Sequence, residues 1–317
     1  MKAVFLDYGT VSAGDLDASR LRSLLPALEL LDITPADQVA ARIHGAEVVL
    51  TNKTQITAAH MEGDRPLRLI SLTATGTNAV DLDAARRLNI AVCNIRGYCT
   101  PSVVQHVFAV MLSLTHHLRR YEQLATDGTW ASATQLSMLQ EPIRELAGRV
   151  LGIVGLGELG RGVARVAEAF GMRVLVANRP GAAPQPGRLD LHDLLPQVDV
   201  LSLHCPLTPE TRNLIGAREL ALMKRDALLV NTARGALVDV NALADALRHR
   251  RIGGAALDVL PQEPPVDGSP LFAPDVPNLI VTPHTAWAAR ESRQRALDEM
   301  AANIEDFLRG GRRGRVV

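Results

Sequence analysis

The sequence is poor in cysteine, carries no net charge and has no long apolar run, and each scarcity removes a class of function. Its three cysteines, Cys93, Cys99 and Cys205, show no C-x-x-C spacing. An odd, sparse set suits a reducing cytoplasm and small buried packing residues rather than disulfides, ligands or nucleophiles. Lysine plus arginine equals aspartate plus glutamate, 34 against 34, so no net field draws the chain to nucleic acid or anionic lipid. No uncharged apolar stretch reaches the roughly 18 residues of a membrane helix. The opening MKAVFLDYG runs straight into a strand pattern and lacks the apolar region of a signal peptide. A cytoplasmic location with no membrane and no nucleic-acid partner is the expectation. No clustered His or Cys spacing suggests a metal, and no G-x-S-x-G elbow supports Ser/His/Asp hydrolysis. The basic C-terminal RGGRRGRVV reads as a short frayed tail.

What the chain does have is concentrated in Arg149–Pro180, RVLGIVGLGELGRGVARVAEAFGMRVLVANRP. An apolar run, Val150–Val154, leads into Gly155, Gly157 and Gly160 at G-x-G-x-x-G spacing. Val163, Val166, Ala167 and Phe170 then recur at helical period, Gly171 ends the helix, and Val174–Val176 completes a βαβ unit. Gly155 allows the tight turn, Gly157 the close approach of backbone N–H groups to a pyrophosphate, and Gly160 the packing of helix on strand. Flanked in this way, the motif implies a dinucleotide site. Where an acid usually meets the ribose 2′-hydroxyl, this chain has Asn178 followed by Arg179.

At 317 residues two domains are expected, and 47% apolar with 21% charged residues is ordinary for a globular protein. In the first third, Ala3–Leu6, Val48–Leu50, Leu67–Leu72 and Ile90–Cys93 read as strands, and Leu16–Leu31 as helix-period sequence. Thr100 and Pro101 open a helix whose apolar positions continue through Leu118. Residues 119–145 read as an irregular arm that packs on a partner subunit or on their own domain. Further strands are expected at Val198–Leu203, Ala227–Val230, Ala255–Leu257 and Leu279–Val281, and a last helix over Arg290–Leu308. The fold class is therefore α/β, with two doubly wound parallel-sheet domains. A Rossmann unit, 100–287, is inserted into a flavodoxin-like substrate unit, 1–99 and 288–317.

The strand ends of the inserted unit place Arg234, Asp258, Glu263 and His284 along one sheet edge, where such folds bind their ligands. Hydride transfer to a ketone creates an alkoxide that needs a proton, and histidine is a natural donor near neutral pH. A carboxylate on its other nitrogen orients the ring, and a guanidinium clamps a substrate carboxylate at two points. At these residues the chain resembles the D-isomer-specific 2-hydroxyacid dehydrogenases. The segments GLGELG, HCPLTPETRNLI, NTARGALVD, GAALDVLPQEPP and TPHTAWAARESRQ carry the likeness, with ATGTNAVDLDAA and NIRGYCTPSVVQH in the first third. Trp287 after the histidine resembles the glycerate dehydrogenase or hydroxypyruvate reductase branch.

The resemblance implies roles residue by residue. Arg234 binds substrate, His284 donates the proton and Glu263 pairs with it. Gly155, Gly157, Glu158, Leu159 and Gly160 hold the pyrophosphate, and Asn178 and Arg179 flank the adenosine ribose. His204, Cys205, Pro206, Thr211, Thr232, Ala233, Asp258 and Ala286 join Arg234 and His284 around the cofactor. The backbone of Ala74, Thr75 and Gly76 holds the substrate carboxylate, with Lys53 and Trp287 near its other end. The family pattern also implies a homodimer that closes a cleft over a small 2-keto or 2-hydroxy acid. Asn178-Arg179 in place of an acid favours NADP over NAD. The family often has Glu before the histidine of the helix that begins at Thr100, where this chain has Gln105 before His106; no functional consequence is drawn. The reading from another class is a nucleotide-sensing interaction protein without turnover, against which Arg234, Glu263 and His284 all stand present.

Overall fold

A computed structural model describes residues 1–63 and 66–317. The chain divides into two compact units, Met1–Cys99 with Trp287–Val317, and Thr100–Ala286. The first begins with β1 (Lys2–Phe5), α1 (Ser19–Leu24), β2 (Ala27–Leu30), α2 (Val39–Arg42) and β3 (Val48–Thr51). It continues through α3 (Ala58–Met61), β4 (Leu69–Leu72), α4 (Leu82–Arg87) and β5 (Ala91–Cys93). Its parallel sheet has the order β2-β1-β3-β4-β5, that of flavodoxin-like folds. Ala3, Phe5, Val48 and Leu50 enter a core on one face, and Val4, Leu6, Val49 and Ile70 a core on the other. Burial on both faces is why these strands read as unbroken apolar runs.

Two expectations fail in this unit. Leu16–Leu31 is not one helix, because α1 ends at Leu24 and Ala27–Leu30 forms an edge strand. Pro26 is the reason: it cannot continue a helix, and it drives Leu25 out of the helical region, to φ −128° and ψ 77°. The C-terminal tail is not frayed either. Asn94 N–H donates to Gly314 O, and Val316 N–H donates to Val92 O at 2.8 Å, so the tail covers the otherwise open edge of β5.

The second unit opens with α5 (Thr100–Thr115) and α6 (Leu118–Thr126), then β6 (Val150–Val154), α7 (Glu158–Ala169) and β7 (Arg173–Val176). It proceeds through α8 (Leu191–Leu194), β8 (Val200–Leu203), α9 (Ala217–Leu222), β9 (Leu228–Asn231) and α10 (Val240–Arg248) to β10 (Gly254–Leu257) and β11 (Leu279–Val281). The last helix, α11 (Arg290–Leu308), belongs to the first unit. Here the parallel order is β11-β10-β9-β8-β6-β7, and Leu189 bridges Ala177 on the outer side of β7 as the remnant of a further strand. That is the Rossmann order, with its switch point between β6 and β8.

The expected helix from Thr100 stops at Thr115, because His117 takes the left-handed conformation at φ 50°. The segment expected to be irregular from 119 starts instead with α6. Trp287, expected with the nucleotide unit, falls in the first unit, where its ring meets Tyr98 edge to face at 6.3 Å.

Candidate active site

The glycine motif is built as its spacing requires, but its three glycines are needed for different reasons. Gly155 lies at φ 99°, and a Cβ there would stand 2.6 Å from both Cys205 N and His204 C. A Cβ on Gly160 would fall 2.2 Å from Gly155 O, so the start of α7 rests directly on the turn. At Gly157, by contrast, a Cβ would meet no protein atom within 4 Å. Gly157 is the N-cap of α7 and makes no side-chain cap, which leaves the first N–H groups of the helix available to an anion. A cradle that only a side chain at Gly157 would fill fits a dinucleotide pyrophosphate. The Glu158 carboxylate is held by the Thr100 hydroxyl.

At the end of β7, Asn178 accepts from Gln185 N–H through Oδ1 at 3.0 Å, and its Nδ2 is a donor where an acid would have none. Arg179 is exposed. Its charge reaches Glu210, whose carboxyl is lowered first by a hydrogen bond from Thr208, with Arg179 adding to the effect. Just past the end of β8, burial pushes His204 down to about 4 and the Cys205 thiol up to about 11. His204 Nε2 meets Ser202 Oγ at 2.9 Å, and its buried Nδ1 has no partner among the described residues. Pro206 is exposed, while Thr211 is buried, with its hydroxyl donating to Pro206 O at 2.8 Å. Thr211 therefore shapes the loop rather than offering it a donor.

The histidine–carboxylate pair expected from the sequence is in contact. His284 Nδ1 lies 2.6 Å from Glu263 Oε2, while Glu263 Oε1 accepts from Leu260 N–H at 2.8 Å. The Arg234 loop is pressed against the same segment, since a Cβ on Gly235 would fall 1.9 Å from Leu260 C. Arg234 is exposed, and its Nη1 donates to Ala233 O at 2.7 Å. Asn231, fully buried, shapes this loop by accepting from Ala233 N–H and donating to Arg234 O. The Thr232 hydroxyl is buried without a partner among the described residues. Asp258 is 2% exposed, and both its oxygens are engaged by the turn that carries His284. Oδ1 accepts from the Thr282 hydroxyl and Thr285 N–H, and Oδ2 from Ala286 N–H. Asp258 is thus an anchor for the turn. Arg234, Glu263 and His284 follow β9, β10 and β11, three neighbours in the sheet.

In the first unit, Lys53 is exposed on a loop organised by buried Asp7, whose carboxylate accepts from the N–H groups of Asn52, Lys53 and Thr54. The loop of Ala74, Thr75 and Gly76 is tied to the end of β5, where Thr75 Oγ1 donates to Ile95 O and Asn94 Nδ2 donates to Thr75 O. Asp7 and Asn231 were read only as polar residues ending apolar strands, His106 only as a family position with no consequence drawn, and Ser102 sits inside a helix pattern that carries no signal of its own.

The fold order, the cradle and the histidine–carboxylate pair fit a dinucleotide-dependent oxidoreductase. Residues 108–286 match the family described as D-isomer specific 2-hydroxyacid dehydrogenase, NAD binding domain. The chain is 44% identical over 274 residues to a glycerate dehydrogenase of Methylorubrum extorquens, covering 86% of each chain. It is 36% identical over 316 residues to a hydroxypyruvate reductase of Blautia hydrogenotrophica, covering 98% of each. The crystal structure of the TT0316 protein of Thermus thermophilus superposes over the whole of both chains with a TM-score of 0.86 at 36% identity. The chain belongs to the D-isomer specific 2-hydroxyacid dehydrogenases, and its cofactor is a nicotinamide dinucleotide. Among the described residues no helix is long and apolar enough to cross a membrane.

Proposed function

We propose that this chain reduces a small 2-keto acid, hydroxypyruvate or glyoxylate, to the corresponding 2-hydroxy acid, with NADP preferred to NAD. The observation that carries the reading is the 2.6 Å contact of His284 Nδ1 with Glu263, beside the Arg234 loop at the carboxyl edge of the sheet. A bound reduced nicotinamide supplies the hydride. Arg234 binds the substrate carboxylate and polarises the neighbouring carbonyl. Glu263 holds Nδ1, so the proton passes from His284 Nε2 to the oxygen on which charge develops. Ala74, Thr75 and Gly76 would offer backbone N–H groups to the carboxylate, and Lys53 and Trp287 would meet the rest of the substrate. The NADP preference rests on Asn178 and Arg179, a donor and a cation where an acid would repel a 2′-phosphate.

The chain is further proposed to form a homodimer through the arm after α5, where Leu118, Trp130, Leu136, Leu139 and Ile143 are all exposed. The arm borders a cavity of about 1010 Å³ at the amino-terminal edge of the sheet, lined by Arg119, Arg144, Asp199, Asp226 and Asn278 and by no candidate catalytic or cofactor residue. A cytoplasmic location is proposed from the sparse, odd set of three cysteines.

The test is a panel of small 2-keto acids assayed with NADPH and NADH by nicotinamide absorbance. Turnover of hydroxypyruvate or glyoxylate is expected, and His284→Ala or Arg234→Ala should lower kcat/KM by at least about 100-fold with cofactor binding largely intact. Flat traces across the panel would favour a non-catalytic nucleotide sensor, and near wild-type turnover in either variant would refute the assigned roles.

A further inference from the structure

The five residues Thr282–Ala286 that present His284 are gripped from outside the strand edge by one face of α5. Ser102 and His106 stand four residues apart on that helix, hence one above the other. Ser102 Oγ donates to Ala286 O at 2.6 Å, at one end of the turn, and His106 Nε2 meets Thr282 Oγ1 at 3.1 Å, at the other. At its centre His284 holds φ 56°, a left-handed conformation that a non-glycine residue keeps only when its surroundings enforce it. Its own N–H donates to both Asp258 O and Thr282 O at 2.9 Å.

The direction of the proton at His106 follows from its neighbours. Thr282 Oγ1 donates to Asp258 Oδ1 at 2.6 Å, and the oxygens of that carboxylate also accept from Thr285 and Ala286 N–H. The one hydroxyl proton of Thr282 therefore points to Asp258, and Thr282 offers His106 a lone pair. His106 must donate from Nε2. We infer that His106 and Ser102 are positioning residues for the reaction: donating from one face of α5, His106 locks the Thr282–Asp258 link at one end of the turn and Ser102 holds Ala286 at the other, and together they fix the turn that aims the His284 ring. Gly162 keeps that face in place, because a Cβ there would stand 2.8 Å from Val104 Cγ2, so α7 backs α5 closely.

This inference rests on His284 as proton donor, yet part of its test needs no turnover. In the full chain, His106→Leu removes the donor, and His106→Gln keeps an amide that can donate to Thr282. In the Leu variant the Thr285 and Ala286 amides should exchange with deuterium at least about 10-fold faster than wild type, with the β10 ladder unchanged. With the keto acid turned over, kcat should fall roughly 10- to 100-fold. KM for the keto acid and Kd for NADPH should stay within about twofold, the split expected when the proton donor alone is misaimed. His106→Gln should restore most of both readouts. Ser102→Ala, which leaves the buried Thr282–Asp258 link whole, should show the same changes to a smaller degree and serves if His106→Leu does not fold. Wild-type exchange in His106→Leu, or in Ser102→Ala where only that variant folds, would overturn the inference. So would a Gln variant as damaged as the Leu variant. A chain that turns over no keto acid but shows the faster exchange sinks the functional reading and keeps the clamp.

Discussion

Two alanine substitutions three residues apart should give opposite results. In Gly160→Ala the new Cβ would stand 2.2 Å from Gly155 O and 3.3 Å from Ile153 Cγ2, against backbone that cannot swing aside. Relief requires the start of α7 or the turn at Gly155 to shift by about 1 Å, an overpacking cost of about 3 kcal/mol. For a unit of this size that lowers Tm by roughly 6–12 °C. In Gly157→Ala the methyl meets no protein atom, and φ −80° with ψ −157° is open to alanine. Stability should hold or rise by about 0.5 kcal/mol, because alanine has less freedom to lose on folding. The methyl instead occupies the cradle in front of the α7 N–H groups. Displacing a pyrophosphate from one or two of those charge-assisted hydrogen bonds costs about 3 kcal/mol, or roughly 100-fold in Kd. Calorimetry gives Tm, and titration of NADPH fluorescence gives Kd. A Gly157→Ala protein that binds cofactor as wild type does would refute the placement of the cradle, and one that melts early would refute the packing argument.

Two other outcomes are expected. His204 is held near 4 in the folded chain against 6.5 unperturbed, so the unfolded chain takes up its proton first as pH falls. Its contribution to stability is complete above about pH 6.5 and is lost toward pH 4, amounting to roughly 2–3 kcal/mol between pH 7.5 and 4.5. Urea unfolding at those two pH values should show a smaller loss in His204→Asn than in wild type, and an equal loss would count against burial as the cause. Arg179→Ala should lower kcat/KM for NADPH by about 10-fold, the value of one charge-assisted hydrogen bond, with NADH within about twofold. An unchanged NADPH value would remove Arg179 from cofactor selection.

Both sheets and the glycine turn were legible because their signals are local. Val150–Val154 is apolar throughout because both its faces are covered, and a run of five such residues before G-x-G-x-x-G needs no distant partner to be recognised. Each of His284, Glu263 and Arg234 is ordinary alone; their placement at one strand-end edge suggested hydride-transfer chemistry, and only the resemblance implied a role for each. The errors have a common origin. Leu16–Leu31 has helical spacing over most of its length, and the single Pro26 that ends α1 also releases an alternating A-L-E-L segment to the sheet edge. The C-terminal tail is basic and glycine-rich, and nothing in its composition tells that β5 lacks a neighbour.

Composition, periodicity and turn chemistry are properties of neighbours along the chain, and they were enough for the fold class, the βαβ cradle and the edge on which chemistry takes place. Which glycine is needed for packing and which for ligand approach depends on atoms from other segments: Gly155 and Gly160 are closed in by protein, and Gly157 is not. The support of His284 is more remote still. Asp258 and Thr282 bond across 24 residues of sequence, and His106 and Thr282 across 176. Hydrogen bonds of that separation leave no periodic trace, because only the folded sheet and the helix packed on it bring their donors and acceptors within 3 Å or so.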